Sequence, residues 1–202
     1  MSAHAPLSLV HQVLDKTAEQ YGDWPALKVK RNGDWHTFTW REYRHNSRLV
    51  ARGLMALGLT PGKGLAIIGY NCAEWFFADV GAILAGGVPA GIYTTSSPEQ
   101  CQYIAHHCEA PVVIVEDKAQ LVKFQQVWGD CPHLKHIVIM HGGSDVHDRR
   151  VLTWAQLLTK ADEVPESALE ARLAAQKPND VCTLIYTSGT TGTPKAVMIT
   201  HD

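Results

Sequence analysis

The feature that most constrains the fold of this chain is a series of short apolar segments separated by segments with helical patterning. Residues 111–115 have the sequence Pro-Val-Val-Ile-Val, residues 136–140 have His-Ile-Val-Ile-Met, and similar segments occupy 65–68 and 88–93. Such runs do not alternate apolar and polar residues, which indicates strands that are covered on both faces. Helical segments such as 117–128 lie between them. The sequence therefore predicts an α/β protein with a mainly parallel sheet flanked by helices on both faces.

Local signals place further elements around this pattern. The dipeptide Asn32-Gly33 separates two strand-like segments, 26–30 and 35–38, and favours a two-residue β-hairpin. A first amphipathic helix is predicted to begin after Ser8. Further helix starts are predicted where a capping residue is followed three positions later by an acid or amide that can return the hydrogen bond. These pairs are Thr39 with Glu42, Asn71 with Glu74, Ser97 with Gln100, and Thr153 with Gln156.

The composition restricts the partners of the protein. Of 202 residues, 46% are hydrophobic and 19% are charged, and 18 Lys and Arg stand against 20 Asp and Glu, for a net charge of -2. A chain this apolar can bury a core and is not disordered. The near-neutral balance gives no overall attraction to nucleic acid, so no nucleic-acid partner is predicted, and any anion must bind at a local site.

The cysteines and histidines do not have the spacing of a disulfide framework or a metal centre. The five cysteines are irregularly spaced and include no Cys-x-x-Cys pair. His133, His136 and His141 do not match a helical zinc motif, so no metal ligand is predicted. Residues 1–6 lack a secretory signal, and the apolar stretch 80–92 is too short to span a bilayer. We therefore expect a cytoplasmic location, with peripheral membrane association and the oligomeric state left open.

The segment most informative about chemistry is 184–200, where a loop of hydroxyls and glycines joins two apolar runs. Phosphate groups require N–H and O–H donors at short range together with positive charge, and glycine lets backbone amides approach closely. The hydroxyls and glycines of this loop supply the donors, and its lysine supplies the cation. The predicted phosphate-binding residues are Thr187, Ser188, Gly189, Thr190, Thr191, Gly192, Thr193, Pro194 and Lys195.

This segment is not a Walker A loop, although both contain glycines and a lysine. Thr193-Pro194 separates Gly192 from Lys195, and Ala196 stands where a Walker A loop has the hydroxyl that binds Mg2+. The residues after Lys195 favour a strand rather than a helix. We therefore expect a phosphate loop between two strands, without a helix dipole behind it.

Three stretches of the chain resemble a known superfamily. Residues 186–195, Tyr-Thr-Ser-Gly-Thr-Thr-Gly-Thr-Pro-Lys, resemble the AMP-binding signature of the acyl-adenylate-forming superfamily. Residues 69–76 and 85–98 resemble the bubblegum-type branch of its long-chain fatty acyl-CoA synthetases. The resemblance covers nearly the whole chain. One departure is Ala196, where most members have glycine, and we expect its methyl group to be tolerated.

The resemblance implies a long-chain fatty acid–CoA ligase that uses ATP, Mg2+ and coenzyme A. A fatty acid carboxylate and ATP give an acyl-adenylate and pyrophosphate, and coenzyme A then displaces AMP. The resemblance implies that residues 187–195 hold the β- and γ-phosphates, whereas the adenylation lysine of the family belongs to a later domain, so no catalytic residue is assigned. It also implies that residues 1–202 are an incomplete N-terminal portion of the AMP-binding domain without the C-terminal domain, and we expect the chain alone to be inactive.

Alternative interpretations remain open at this stage. The chain is alternatively part of an adenylation domain for another carboxylic or amino acid, or a truncated product without enzymatic function. Trp75-Phe76-Phe77 is expected to pack between helix and sheet rather than to line an acyl pocket. Four arginines at helical spacing are expected to form a solvated helix face rather than a patch for anionic lipid. They are Arg41, Arg44, Arg48 and Arg52.

Overall fold

The computed structural model of the protein describes residues 9–187 and 193–202. The helices are α1 Val10–Tyr21, α2 Trp40–Ala56, α3 Ala73–Leu84, α4 Pro98–His107, α5 Lys118–Val127, α6 Trp154–Lys160 and α7 Glu166–Ala175. The strands are β1 Pro25–Arg31, β2 Asp34–Thr39, β3 Gly64–Ile68, β4 Val88–Ile92, β5 Val112–Val115, β6 His136–Ile139, β7 Val151–Thr153, β8 Val181–Thr187 and β9 Lys195–Thr200. Helices and strands therefore alternate along most of the chain, as the sequence predicts.

The main sheet of the described residues has seven strands in the order β7-β6-β5-β3-β4-β8-β9. Neighbouring strands are parallel except for the last pair, β8 and β9, which is antiparallel. In the centre, Ile67 of β3 lies between Gly91 of β4 and Ile114 of β5. The prediction of an α/β fold with a mainly parallel sheet is confirmed.

Helices cover both faces of the central strands of this sheet and divide the core into two clusters. On one face, α1, α2, α3, α6 and α7 pack against the side chains of Leu65, Ile67 and Ile114. On the other face, α4 and α5 pack against Ile68 and the neighbouring strands. Every residue of β3 and of β5 is buried. The absence of polar alternation in these strands is explained by this two-sided burial, which removes apolar surface from water on both faces.

The local signals for helix starts are confirmed at three of four sites. Reciprocal capping hydrogen bonds begin α2, α4 and α6 at Thr39, Ser97 and Thr153. The fourth prediction, Asn71 with Glu74, is wrong: α3 is capped by Cys72 without a side-chain hydrogen bond, and the Glu74 carboxylate instead pairs with Arg31. Ser8, the predicted cap of α1, lies outside the described residues.

The predicted hairpin is confirmed, and one strand was not predicted. Strands β1 and β2 pair in antiparallel fashion around Asn32 and Gly33, whose φ angles of 52° and 93° are those that this tight turn requires. In the segment after residue 141, where the sequence predicts no strand, Val151–Thr153 forms β7 and pairs with β6 at the edge of the main sheet. Three residues are too few to give a periodic signal.

Candidate phosphate site at the carboxyl edge of the sheet

The two ends of the predicted phosphate segment lie side by side. Thr187 is the last residue of β8, Lys195 is the first of β9, and the two are paired across the antiparallel ladder. Both residues and Thr193 are exposed. The predicted positions Ser188, Gly189, Thr190, Thr191 and Gly192 lie outside the described residues, so the placement of these hydroxyls and glycines stays a prediction. The expected arrangement of two strands flanking the loop is present.

The position of these strands places the segment at the carboxyl edge of the sheet. Strand β8 pairs with β4 in parallel, with Leu184 opposite Ala90, so Thr187 lies on the same edge as the segment after β4. The loop after β3 reaches this edge too, and its Tyr70 backbone N–H donates to a Glu116 carboxylate oxygen at 2.8 Å. In open α/β sheets, ligands bind outside the carboxyl ends of the strands. Thr187 and Lys195, the described ends of the segment, therefore lie at the edge where a nucleotide is expected.

In the described part of the chain, no carboxylate pairs with Lys195, so the charge of this residue is available to a ligand. None of the ion pairs among these residues involves Lys195. The ammonium group is thus not neutralised by a described carboxylate. A phosphate that approaches the carboxyl edge would meet an unneutralised cation there.

A cavity of about 810 Å3 opens beside the segment on the α3 face of the sheet. Its walls include Trp75 and Asp79 of α3, Tyr93 after β4, and Thr183 and Ile185 of β8. Burial raises the pKa of Asp79 from 3.8 to about 6. The cavity therefore combines a largely apolar wall with one carboxyl group that is costly to ionise. Although Trp75 lines this cavity, its neighbour Phe77 is buried against Phe38 and Tyr43, which confirms core packing for that part of the aromatic cluster.

The opposite face of the segment contacts α4. The hydroxyl of Tyr103 donates to the carbonyl of Pro194 at 3.0 Å, and Nδ1 of His107 is hydrogen-bonded to the hydroxyl of Tyr186 at 2.8 Å. Tyr186 is buried, which raises the pKa of its hydroxyl, and Ala196 packs into the same cluster. The methyl group of Ala196 thus has a partly buried place in the core. Sequence reasoning did not find Tyr103 or His107, because their partners are 91 and 79 residues away along the chain.

One cluster of metal-ligating side chains is present near the same edge. Ligand atoms of Cys72, Glu74 and His141 lie within 4.8 Å of one another. Desolvation raises the pKa of the Cys72 thiol to about 11, and the guanidinium of Arg31 already neutralises Glu74. A protonated thiol and a neutralised carboxylate are poor cation ligands. Mg2+ also prefers an all-oxygen site, so this cluster does not fit it.

The structure also shows the surroundings of the histidines that the sequence brings into question as metal ligands. His133 stacks on His106 and is not joined to His136 and His141 in a ligand cluster.

All four arginines of α2 make intramolecular ion pairs, with Asp23, Asp15, and the α7 residues Glu166 and Glu170. The side chains of Arg48 and Arg52 are only 14% and 18% exposed, so the expectation of a solvated helix face is wrong for these two residues, which pack against α7. No helix in the described ranges is long and apolar enough to cross a membrane.

Comparison with known families assigns the chain to a class. A family model described as "AMP-binding enzyme" matches residues 14–202. The chain belongs to the AMP-binding enzyme family.

Two relatives illustrate the branch to which the chain is similar. It is 46% identical over 193 residues to the long-chain-fatty-acid–CoA ligase ACSBG1 of Rattus norvegicus, and 44% identical over 200 residues to ACSBG2 of Xenopus laevis. These matches cover 96% and 99% of the chain and 27% of each relative. The resemblance to the bubblegum-type branch is confirmed, and the chain spans about a quarter of the length of these relatives.

Solved structures agree with the fold. A crystal structure of the anthranilate CoA ligase AuaEII in complex with anthranoyl-AMP matches with a TM-score of 0.83 at 25% identity, over 100% of this chain and 36% of that one. The apo structure of Mycobacterium smegmatis MbtA matches with a TM-score of 0.81 at 24% identity, over 99% and 35%. The likeness to MbtA supports the fold alone.

Proposed function

We propose that the whole protein to which this chain belongs is an ATP-dependent long-chain fatty acid–CoA ligase. The observation that carries this proposal is the 44–46% identity, over nearly all of the chain, to relatives named as such ligases. The position of Thr187 and Lys195 at the carboxyl edge of the sheet supports this proposal. A nucleoside triphosphate bound at that edge requires hydrogen-bond donors and positive charge beside its phosphates. The substrates would be a fatty acid, ATP and coenzyme A.

The proposed reaction has two steps. In the first, a carboxylate oxygen of the fatty acid forms a bond to the α-phosphorus of ATP while the bond to pyrophosphate breaks. In the second, the sulfur of coenzyme A attacks the acyl carbon, the bond to AMP breaks, and the thioester forms. Both reactants of the first step are anions, so catalysis depends on positioning and on neutralising charge at the phosphates.

Within the chain, residues 187–195 would hold the β- and γ-phosphates. Lys195 would supply positive charge, and Thr187 and Thr193 would supply hydroxyl donors. ATP would be used as its Mg2+ complex, but the Cys72, Glu74 and His141 cluster does not fit this ion, so no Mg2+ ligand is assigned. Residues 1–202 would form the N-terminal portion of the AMP-binding domain.

The free thiols support a location inside the cell. All five cysteines fall within the described ranges and are free. Disulfides persist in oxidising compartments, and free buried thiols are typical of reducing ones. We therefore propose a cytoplasmic location.

The proposal is tested by removing the cation. In the full-length protein that carries this sequence, Lys195→Ala should reduce kcat/KM for ATP by about 10- to 100-fold, because a charge near the phosphates contributes on the order of 1–3 kcal/mol in a partly exposed site. The assay is ATP-dependent pyrophosphate exchange with palmitate. The matched control is Lys16→Ala, since Lys16 is exposed on α1 and away from the segment. Equal loss in both variants, or in neither, contradicts the role of Lys195.

A second candidate, activation of a different carboxylate, is favoured by one observation. The AuaEII structure, with its TM-score of 0.83, contains an aromatic acyl-adenylate. The same exchange assay with a panel of fatty, aromatic and amino acids distinguishes the two. Exchange with amino or aromatic acids but not with long-chain fatty acids would reject the ligase proposal in favour of the second candidate.

A further inference from the structure

Two side chains on one face of α4 contact both strands that flank the phosphate segment. Tyr103 and His107 are four residues apart, so they are neighbours on the helix surface, and their rings stack with centroids 5.5 Å apart and an interplanar angle of 29°. Tyr103 contacts Pro194, the residue immediately before β9, whereas His107 contacts Tyr186 near the end of β8. One helix turn thus contacts the chain just before the segment and again near its last residue.

Each contact restrains an atom close to the phosphate-binding residues. The carbonyl of Pro194 belongs to the same planar peptide unit as the backbone nitrogen of Lys195. The hydrogen bond from Tyr103 to that carbonyl therefore fixes the orientation of the backbone that carries the cation. On the other strand, Tyr186 precedes Thr187, and its ring packs edge-on against the ring of His107 with centroids 5.7 Å apart.

The helix that carries these two residues is itself firmly held. Its first turn has a reciprocal cap between Ser97 and Gln100, with Pro98 at the first helical position. Cys101, Ile104 and Ala105 are buried in the core. Hydrogen bonds from such a support can restrain the segment in the protein without nucleotide, which lowers the entropy lost when phosphates bind.

We infer that Tyr103 and His107 are positioning residues, which hold the two ends of the phosphate segment in the geometry that binds ATP. This inference rests on the proposed function. Neither side chain is placed on the phosphates. Their effect passes through Pro194 and Tyr186.

The test uses the full-length protein and substitutions at these two positions. Tyr103→Phe removes only the hydroxyl, whereas His107→Ala removes the imidazole ring, with its hydrogen bond to Tyr186 and its contacts with the rings of Tyr103 and Tyr186. Each should raise the KM for ATP about 2- to 10-fold, the range expected for one lost hydrogen bond, while the KM for fatty acid stays unchanged. His107→Asn places an amide near the position of Nδ1 and should restore part of the ATP affinity.

The controls are matched in chemistry and position. His106→Ala removes the adjacent histidine, which stacks on His133 instead of contacting the segment. Tyr21→Phe removes the hydroxyl of a tyrosine on α1, and the ring of this tyrosine contacts Trp24. Both controls should retain the wild-type KM for ATP. A rise in KM for ATP in Tyr103→Phe or His107→Ala equal to that in the controls overturns the inference.

Two further outcomes separate this inference from its alternatives. If the contacts only stabilise the fold, Tyr103→Phe and His107→Ala lower Tm and kcat with an unchanged KM for ATP, and the inference is wrong. If the wild-type protein neither exchanges pyrophosphate nor binds ATP in calorimetry, the proposed function is wrong. Hydrogen exchange of the peptide 187–195 without nucleotide tests the restraint separately from ATP binding: faster exchange in Tyr103→Phe than in Tyr21→Phe supports the restraint, and equal exchange overturns it.

Discussion

Asp79 should destabilise the folded protein at neutral pH, and the effect can be removed by a near-isosteric substitution. This carboxyl group lies in α3 at the wall of the 810 Å3 cavity, and burial raises its pKa from 3.8 to about 6. Among the described residues it has no ion pair, and its charge acts instead on the nearby Tyr43 and Cys182, whose pKa values it helps to raise. Asp79→Asn should therefore stabilise the protein above pH 6.

The sign and size follow from the difference between the folded and unfolded pKa values. A folded pKa above the unfolded one means that the folded protein binds more protons between pH 3.8 and 6, so stability falls as pH rises through this window. A difference of about 2 pH units corresponds to about 3 kcal/mol at pH 8 and to about 1.5 kcal/mol at pH 5. Below pH 3.8 the contribution disappears, because Asp79 is protonated in both states.

Urea denaturation of the wild type and of Asp79→Asn at pH 5, 6, 7 and 8 measures this dependence. The gain in the free energy of unfolding should roughly double between pH 5 and pH 8. Asp162→Asn, at an exposed position after α6, is the matched control and should show little gain at any pH. A gain that is constant between pH 5 and pH 8 refutes desolvation of the carboxylate as its cause.

Three further substitutions test an ion pair, a close backbone approach and a helix cap, each by the midpoint of urea denaturation. Arg31→Met should cost about 2 kcal/mol, because it leaves the buried Glu74 carboxylate without its partner; an unchanged midpoint contradicts the pairing. Gly64→Ala should cost about 1–3 kcal/mol, since the added Cβ lies 2.4 Å from the carbonyl oxygen of Cys108 at the end of α4, and a neutral result would mean that β3 and the end of α4 separate without cost. Ser97→Ala should lower the free energy of unfolding by about 1 kcal/mol, because the α4 cap is lost. Ser97→Thr should retain most of the stability that the cap contributes.

Signals contained within a few residues predicted the fold well. The caps at Thr39, Ser97 and Thr153 and the turn at Asn32-Gly33 depend on contacts between residues at most three positions apart, and each appears in the structure. The central strands were recognisable because burial on both faces leaves no polar alternation. The class of fold followed from the order of these elements.

The failures arise where a distant residue competes for a local partner. Asn71 and Glu74 have the spacing of a capping box, but Arg31 of the hairpin takes the carboxylate, and Cys72 becomes the cap. Strand β7 forms because the edge of β6 is available, although its three residues have little strand pattern of their own. The contacts of Tyr103 were equally invisible in the sequence.

The strand order explains why α4, rather than α3, contacts both ends of the phosphate segment. From β3 the chain passes along α3 to β4 on one side, and from β4 it passes along α4 to β5 on the other side of β3. Because right-handed crossovers in opposite directions lie on opposite faces, α3 and α4 cover different faces. Strand β8 then adds beside β4, where α4 begins, and its antiparallel partner β9 turns back along it. The sheet is therefore bounded at this point by the cavity on the α3 face and by Tyr103 and His107 on the α4 face, so a substitution in α3 should affect the cavity, whereas one at these two positions of α4 should affect the segment.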